Sequence, residues 1–600
     1  MFKIDIFSNM KFVYSAVWRY AKVLLIILIP SCIIKTTGLY IIPLFLRTII
    51  NLLSEDVTFY TFFIPLVIFF SISKVLSLCG IFFNSFSYLS GKVRYKMIIE
   101  KNTKAMTLPY EMLENPKVLD CYKRATEATL NDTHGVEGFI NSGFSLLEKI
   151  ISAIVGLSLI VKLNIWMTLI IFVVILINFF TMNKLNKDCK IKLWNPLTPI
   201  VRKAEYLENI STDFSYAKEI RMFNLSDWFT RKYKKLIEEK IVIYKKNAKT
   251  WNRYSFFSNG SWFLIQVISY GWLLYLAVQK DISIGNFSFF ISSIAIFFHN
   301  TSIVFSETAN LLQKSREVND FRLFMDIMTV EDENKIDVPK YDSWNIEFRN
   351  VSFKYSENNQ FALKNINLHI SNGENLALIG LNGAGKSTFI KLLLGLYVPT
   401  EGEILLNGQN IQSFKRESYF KIFTAVFQEQ NIFALPIWQN ISLATEDARN
   451  KLNVIDSLEK VGLQNKIINL SAGIETELLK IITDSGVNLS GGEKQKITIA
   501  RAIYKEAPCF IFDEPDSSLD ALSEKIFYKN IRRLTKTKTT IFISHKLSSV
   551  NVCDRIVVFE NGKIIECGCK EELLKLNGYF SRIWKNQSKY YQPTDETESL

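Results

Sequence analysis

Six stretches of the chain are almost continuously apolar: 23–48, 61–89, 142–161, 165–183, 257–278 and 286–311. A helix of about 20 apolar residues crosses the roughly 30 Å hydrocarbon core of a bilayer, so each stretch is predicted to be a membrane span. Nothing comparable follows residue 311. Residues 313–344 are polar and charged and read as a linker. From 345 to 585 short apolar runs alternate with helical patterns, as expected of an α/β domain. Residues 586–600, ending in PTDETESL, are expected to be disordered. Residues 1–22 set Lys3, Lys11, Arg19 and Lys22 among aromatics without a cleavage-site pattern. That pattern predicts an amphipathic segment lying on the inner membrane face.

The 600 residues are 48% hydrophobic and carry a formal charge of +13. A basic excess fits either a nucleic-acid binder or a membrane protein with basic cytoplasmic loops, and its location decides between them. Two long polar segments, 90–141 and 184–256, hold much of it. Lys92, Arg94, Lys96, Lys101 and Lys104 lie in the first; Arg231, Lys232, Lys234, Lys235, Lys245 and Lys246 lie in the second. The segment 49–60 has no Lys or Arg and carries Glu55 and Asp56. The positive-inside rule therefore places the long segments and both termini in the cytoplasm, and nucleic-acid binding drops out. The eight cysteines are scattered; only Cys567 and Cys569 are close, without the paired spacing of a metal site.

Three motifs carry chemistry. The run from Gly380 through Asn382, Gly383, Ala384, Gly385, Lys386, Ser387 and Thr388 follows an apolar strand and opens an apolar helix. Glycines let backbone N–H groups curl around phosphate oxygens, the helix start adds partial positive charge, and Lys386 neutralises the β- and γ-phosphates. Ser387 offers a hydroxyl to Mg²⁺. In CFIFDEP an apolar strand ends in Asp513, expected to hold Mg²⁺ through water, and Glu514, expected to act as general base toward water. The third motif is Ser490, Gly491 and Gly492, which open a helix with a bare, anion-seeking end. A chain that already has a phosphate loop does not need this second anion site for its own nucleotide.

GLNGAGKST, LSGGE and FIFDEP together resemble the ATP-binding cassette family, and the six preceding spans resemble its exporters. The fold expected is multidomain: an all-α transmembrane domain of six helices, then an α/β P-loop nucleotide-binding domain. The resemblance implies ATP and Mg²⁺ as cofactors and a second copy, or a related half-transporter, as partner. Each ATP would lie between one phosphate loop and the Ser490 and Gly492 of the other subunit. Tyr355 matches the aromatic that stacks on adenine, and Gln428 the glutamine that senses Mg²⁺ and the attacking water. Asp520 ends the SSLD loop at 517–520, and His545 matches the γ-phosphate histidine. Glu493 and Asp516 depart from the residues common at those positions, without removing a group from the chemistry.

The segments 108–125 and 209–236 resemble the regions around the two coupling helices of such exporters. FALKNINLHI and DFSYAKEIRMFN are similar to bacterial exporters of ribosomally made peptides, lantibiotic transporters among them. Export of a peptide is the expected function, with a lipid or hydrophobic drug as the alternative. The six spans exclude a DNA-repair ATPase, and the intact motifs argue against a regulator or channel. Lys35, Lys74, His299 and Glu307 lie within spans, where ionisable groups face a cavity or a partner. Lys35 and Lys74 are read as cavity or ion-pair groups, or as snorkelling cations. Glu307 and His299 are read as a site for a cationic substrate, or as helix–helix hydrogen bonds.

Overall fold

The computed structural model describes residues 6–53, 59–84, 87–189, 193, 195–327, 335–341, 343–355, 360–444, 451–515, 528, 531–533, 535, 537–544 and 550–588. At 183, 186, 187, 189, 195, 198 and 215 it describes the backbone alone. The chain divides into two compact units, one of Met1–Leu108 with Glu114–Met328 and one of Pro109–Leu113 with Thr329–Leu600.

The first unit is helical: α1 Ile6–Tyr20, α2 Lys22–Leu53, α3 Phe59–Asn84, α4 Tyr88–Thr107, then, after the short α5 Tyr110–Leu113 of the other unit, α6 Pro116–Glu127, α7 Gly135–Leu163, α8 Ile165–Cys189, α9 Asn195–Thr212, α10 Ala217–Met222, α11 Ser226–Val278 and α12 Ile284–Met325. The stretches long and apolar enough to cross a membrane lie on α2, α3, α7, α8, α11 and α12, six among the described residues. On α3 no residue is buried, and Phe63, Ile64, Val67, Ile68 and Phe70 are exposed, as a lipid-facing helix requires.

The helices run well past the predicted spans. At 1.5 Å per residue α11 is about 80 Å long and α12 about 63 Å, against a core of roughly 30 Å. The polar segments 90–141 and 184–256 are therefore largely helical. The first part of the stretch read as a linker continues α12 to Met325, because Val318, Phe321 and Phe324 are fully buried there. Within the apolar zone α12 packs on α7 and α2. Asn300 Nδ2 donates to Ser152 Oγ at 2.7 Å, and the Tyr40 hydroxyl donates to the Ser152 carbonyl at 3.0 Å. A side chain on Gly156 would meet Tyr40 Oη at 2.7 Å and Phe297 Cβ at 2.8 Å, so the close crossing needs glycine.

The second unit contains two sheets. One is antiparallel with strand order β2-β1-β4-β5: β1 Ile346–Phe353, β2 Leu363–Ile370, β4 Glu401–Leu406 and β5 Gln409–Asn410. The other has order β10-β9-β3-β8-β7-β6: β3 Asn375–Ile379, β6 Phe423–Val426, β7 Cys509–Asp513, β8 Thr539–Ile543, β9 Arg555–Glu560 and β10 Lys563–Gly568. Its pairs are parallel except the β9–β10 edge. The buried strand runs, such as Leu376–Ile379 and Cys509–Phe512, are continuously apolar because both faces are covered. The helices of this unit include α13 Lys386–Leu393, α14 Arg416–Phe420, α15 Ile437–Ser442, α16 Lys451–Lys460, α17 Gln464–Ile468 and α18 Gly491–Tyr504.

Candidate functional site

The strand order places β3, β8, β7 and β6 side by side and parallel, so their carboxyl ends form one rim. The loop after β3 turns into α13 through Gly385, whose φ of +105° lies in the left-handed region. A Cβ there would come within 2.7 Å of Leu363 Cδ2. Lys386, the first residue of α13, is 6% exposed. Its ammonium donates to the carbonyls of Gly380 at 2.7 Å and Leu381 at 3.0 Å, which folds it back over the loop. Burial lowers its pKa, partly opposed by Glu514 and Asp513. Asn382, Gly383 and Ser387 are exposed at the loop's open side. The Tyr355 hydroxyl lies 2.9 Å from Thr388 Oγ1, which ties the end of β1 to the same loop.

Asp513 ends β7 and pairs with Ile543 of β8. Glu514 then takes a left-handed conformation, φ 47°, while its N–H donates to the Ile543 carbonyl at 2.9 Å. Strand pairing thus holds a non-glycine residue where few reside, a strain typical of functional sites. In the β6–β7 register Val426 lies opposite Phe512. Two residues farther along each strand come Gln428 and Glu514, and Gln428 Nε2 donates to Glu514 Oε2 at 2.9 Å. Burial, and then the Glu514 carboxylate beside it, raise the Asp513 carboxyl to about 6. The rim therefore brings together a buried cation, an exposed hydroxyl and two crowded carboxylates.

Ser490 is the N-cap of α18 in a capping box with Glu493, whose Oε2 accepts the Ser490 N–H at 3.0 Å. Among the described residues, and apart from the helix's own backbone and the glycines' chain neighbours, no heavy atom lies within 4 Å of where a Cβ would sit on Gly491 or Gly492, so this helix end is bare. Asp520, the SSLD loop and His545 lie outside the described residues.

Residues 363–517, from β2 through the carboxylate pair, match the ABC transporter family model. The chain carries an ABC transporter ATP-binding domain and has the fold of an ABC exporter. Over its length the transporter superposes on a bacterial Atm1-family ABC exporter solved with ATP bound. The TM-score is 0.77 and the identity 20%, covering 96% of this chain and 99% of that one. It is 27% identical to the subtilin transport ATP-binding protein SpaT of Bacillus subtilis, over 94% of this chain and 91% of that protein. It is 25% identical to the nisin transport ATP-binding protein NisT of Lactococcus lactis subsp. lactis, over 98% and 97%. A Staphylococcus aureus ATP-binding/permease protein named for multidrug export is 37% identical over 40% of this chain. The transporter is thus a membrane protein whose second unit binds ATP and couples its hydrolysis to transport.

Sequence reasoning missed the surroundings of the site. The segment Pro109–Leu113, within the first region read as a coupling helix, clusters with the ATP-binding unit. Its Tyr110 packs edge to face on Tyr397 at 5.9 Å, and Tyr397 packs on Tyr355 at 5.6 Å. Lys391, in the last turn of α13, lies over both Tyr110 and Tyr397, 5.2 and 5.5 Å from their centroids. The visible signal was the aromatic in LPYEML, whose partner lies 287 positions on and leaves no trace in local pattern.

The in-span ionisable residues separate. Lys35 Nζ lies 3.5 Å from Glu148 Oε2, an ion pair. Lys74 and His299 are exposed, and Glu307 is half-buried. A cavity of about 850 Å³ in the helical unit is lined instead by Asn247, Trp251, Ser258, Asn259, Trp262, Ser302, Phe305, Asn310 and Gln313, together with acidic Glu127, Glu317 and Asp320 and basic His134 and Arg316.

Proposed function

We propose that the transporter exports a peptide across the cytoplasmic membrane, powered by ATP hydrolysis in a dimer of two such chains. The observation that carries the hydrolytic half is the Gln428–Glu514 hydrogen bond at the rim beside Lys386. Lys386, Ser387 and the loop amides suit a triphosphate, since a buried ammonium held against carbonyls gains by meeting an anion. Asp513 and Ser387 suit Mg²⁺, because a divalent cation offsets the burial, and then the neighbouring Glu514 charge, that raise the Asp513 carboxyl. Bound Mg²⁺ would supply charge neutralisation at the phosphates. Glu514 accepts the proton of the attacking water, and Gln428 fixes its orientation. Tyr355 offers a ring face to the adenine base. His545 and Asp520 are assigned to the γ-phosphate and to the loop across the dimer on motif alone. Ser490, Gly491 and Gly492 present a bare helix end to the nucleotide held by the second subunit.

The peptide half rests on near full-length similarity to the subtilin and nisin transport proteins. The cavity's amide, hydroxyl and indole lining also suits a substrate with backbone amides and apolar side chains. The basic residues of 90–141 and 184–256 support an orientation with both termini and the ATP-binding unit inside the cell. The protein is proposed to be bacterial, as its relatives are.

The test is ATPase activity in reconstituted vesicles against panels of peptides and of lipids or drugs, with Glu514→Gln as control. Stimulation by peptides alone supports the reading; stimulation by lipids or drugs alone replaces the substrate. Glu514→Gln should lower turnover at least about 100-fold while ATP stays bound, and full activity in that variant refutes the hydrolytic assignment.

A further inference from the structure

The ATP-facing end of α18 carries a carboxylate close to where an anion is expected. Glu493 sits at the third position of the helix and is half-buried, with its side chain 22% exposed. One of its oxygens accepts the Ser490 N–H, which fixes the N-cap. A carboxylate there stabilises the helix, but it opposes a second anion arriving at the same helix end. The other oxygen accepts the ammonium of Lys466, on α17. This lysine is held in place from below: Leu463 and Ile467 on either side of it are buried in one cluster with Ile497 and Ala500 of α18. Lys466 is the first cause, and the Ser490 N–H the second, that keeps the Glu493 carboxyl below the usual range.

We infer that Lys466 is a positioning and charge-compensating residue for the nucleotide site: it neutralises Glu493, so that Glu493 can hold Ser490 in place without repelling the phosphates of the ATP that Ser490 faces. The inference rests on the proposed dimer with ATP between the phosphate loop and Ser490. Lys466 is half exposed, so little of its effect should fall on stability.

The experiment measures KM for ATP and kcat of the full-length reconstituted transporter at low ionic strength. The variants are Lys466→Met, Lys466→Arg, Glu493→Gln and the double variant Lys466→Met/Glu493→Gln, with Glu514→Gln alongside. Lys466→Met should raise KM about threefold and change kcat less than twofold, and the rise should shrink in high salt. Lys466→Arg should behave as the wild type. The double variant should also recover, because the introduced amide oxygen still accepts the Ser490 N–H and carries no charge. A wild-type KM in Lys466→Met, or a double variant as impaired as Lys466→Met, overturns the inference. If Glu514→Gln is inactive in that case, the proposed function stands and the Lys466 role alone falls. If Glu514→Gln keeps full activity, both fall.

Discussion

Tyr110 packs its ring edge to face against Tyr397, with centroids 5.9 Å apart, and Tyr397 in turn packs against Tyr355. The first tyrosine lies between two helices of the membrane unit in sequence; the last is the one proposed to stack on adenine. Tyr397 is 2% exposed, so a change at either outer ring reaches it without solvent between. Edge-to-face pairs contribute about 0.5–1.5 kcal/mol beyond their buried area. Tyr397→Leu keeps an apolar filler and removes the ring contacts to Tyr110 and Tyr355, along with a third to Phe353. Its basal ATPase rate should stay within about twofold, while stimulation by transported substrate should fall by about fivefold, as 1 kcal/mol of lost coupling implies. Unchanged stimulation in reconstituted vesicles would show that these rings carry packing alone.

Gln428 and Glu514 make a separate prediction. The hydrogen bond from Gln428 Nε2 holds one carboxylate oxygen of Glu514 in a fixed orientation. Gln428→Ala should therefore lower kcat by about tenfold, from lost orientation, with KM for ATP nearly unchanged. A rise in KM at constant kcat would move Gln428 from water orientation to nucleotide binding.

The Asp513 carboxyl is raised to about 6, first by burial and then by Glu514. A raised carboxyl stabilises the fold fully only below its unfolded value near 3.8, and that contribution is lost as pH climbs through about 6. The nucleotide-free protein should accordingly bear a penalty at pH 7 that Asp513→Asn relieves. The expected gain is about 2–4 °C in Tm at pH 7, corresponding to about 1 kcal/mol in a unit of this size, and it should vanish near pH 4. A thermal-shift series from pH 4 to 8 without nucleotide or Mg²⁺ decides it. Equal Tm values at pH 7 would mean that the two carboxylates are not crowded.

Local pattern explains which parts were readable beforehand. The spans show because lipid demands about 20 apolar residues in a row, and the phosphate loop because its glycines, Lys386 and flanking elements are contiguous. The cytoplasmic lengths of α11 and α12 did not show. Polar helices are defined by the few residues they bury, and Phe321 and Phe324 read as incidental apolar residues in a charged stretch. Gln428 and Glu514 were each named from their motifs, but their contact depends on the β6–β7 register. The left-handed conformation of Glu514 depends likewise on its bond to Ile543, and the Glu493–Lys466 pair on burial of α17. In each case the missing information was the identity of a partner distant in sequence.

Lys35 shows how a partner found in the structure turns an open reading into a directional prediction. Read alone, it was a cavity group, an ion pair or a snorkelling cation; its ammonium lies 3.5 Å from Glu148 Oε2. The other oxygen of Glu148 accepts from Lys149 at 2.6 Å. One carboxylate thus compensates two cations across α2 and α7, and the three positions are not equivalent. Lys35→Met leaves a Lys149–Glu148 pair intact and should cost less than about 1 kcal/mol. Glu148→Leu leaves two like charges without a counter-ion in a low-dielectric zone and should cost about 3 kcal/mol or more. Lys35→Met/Glu148→Leu should recover part of that loss, since one uncompensated cation remains instead of two. Thermal unfolding of the four proteins in the same detergent orders them: wild type, then Lys35→Met, then the double variant, then Glu148→Leu. If Lys35→Met were the least stable, the ion pair would be secondary and the lysine would be held by something other than Glu148.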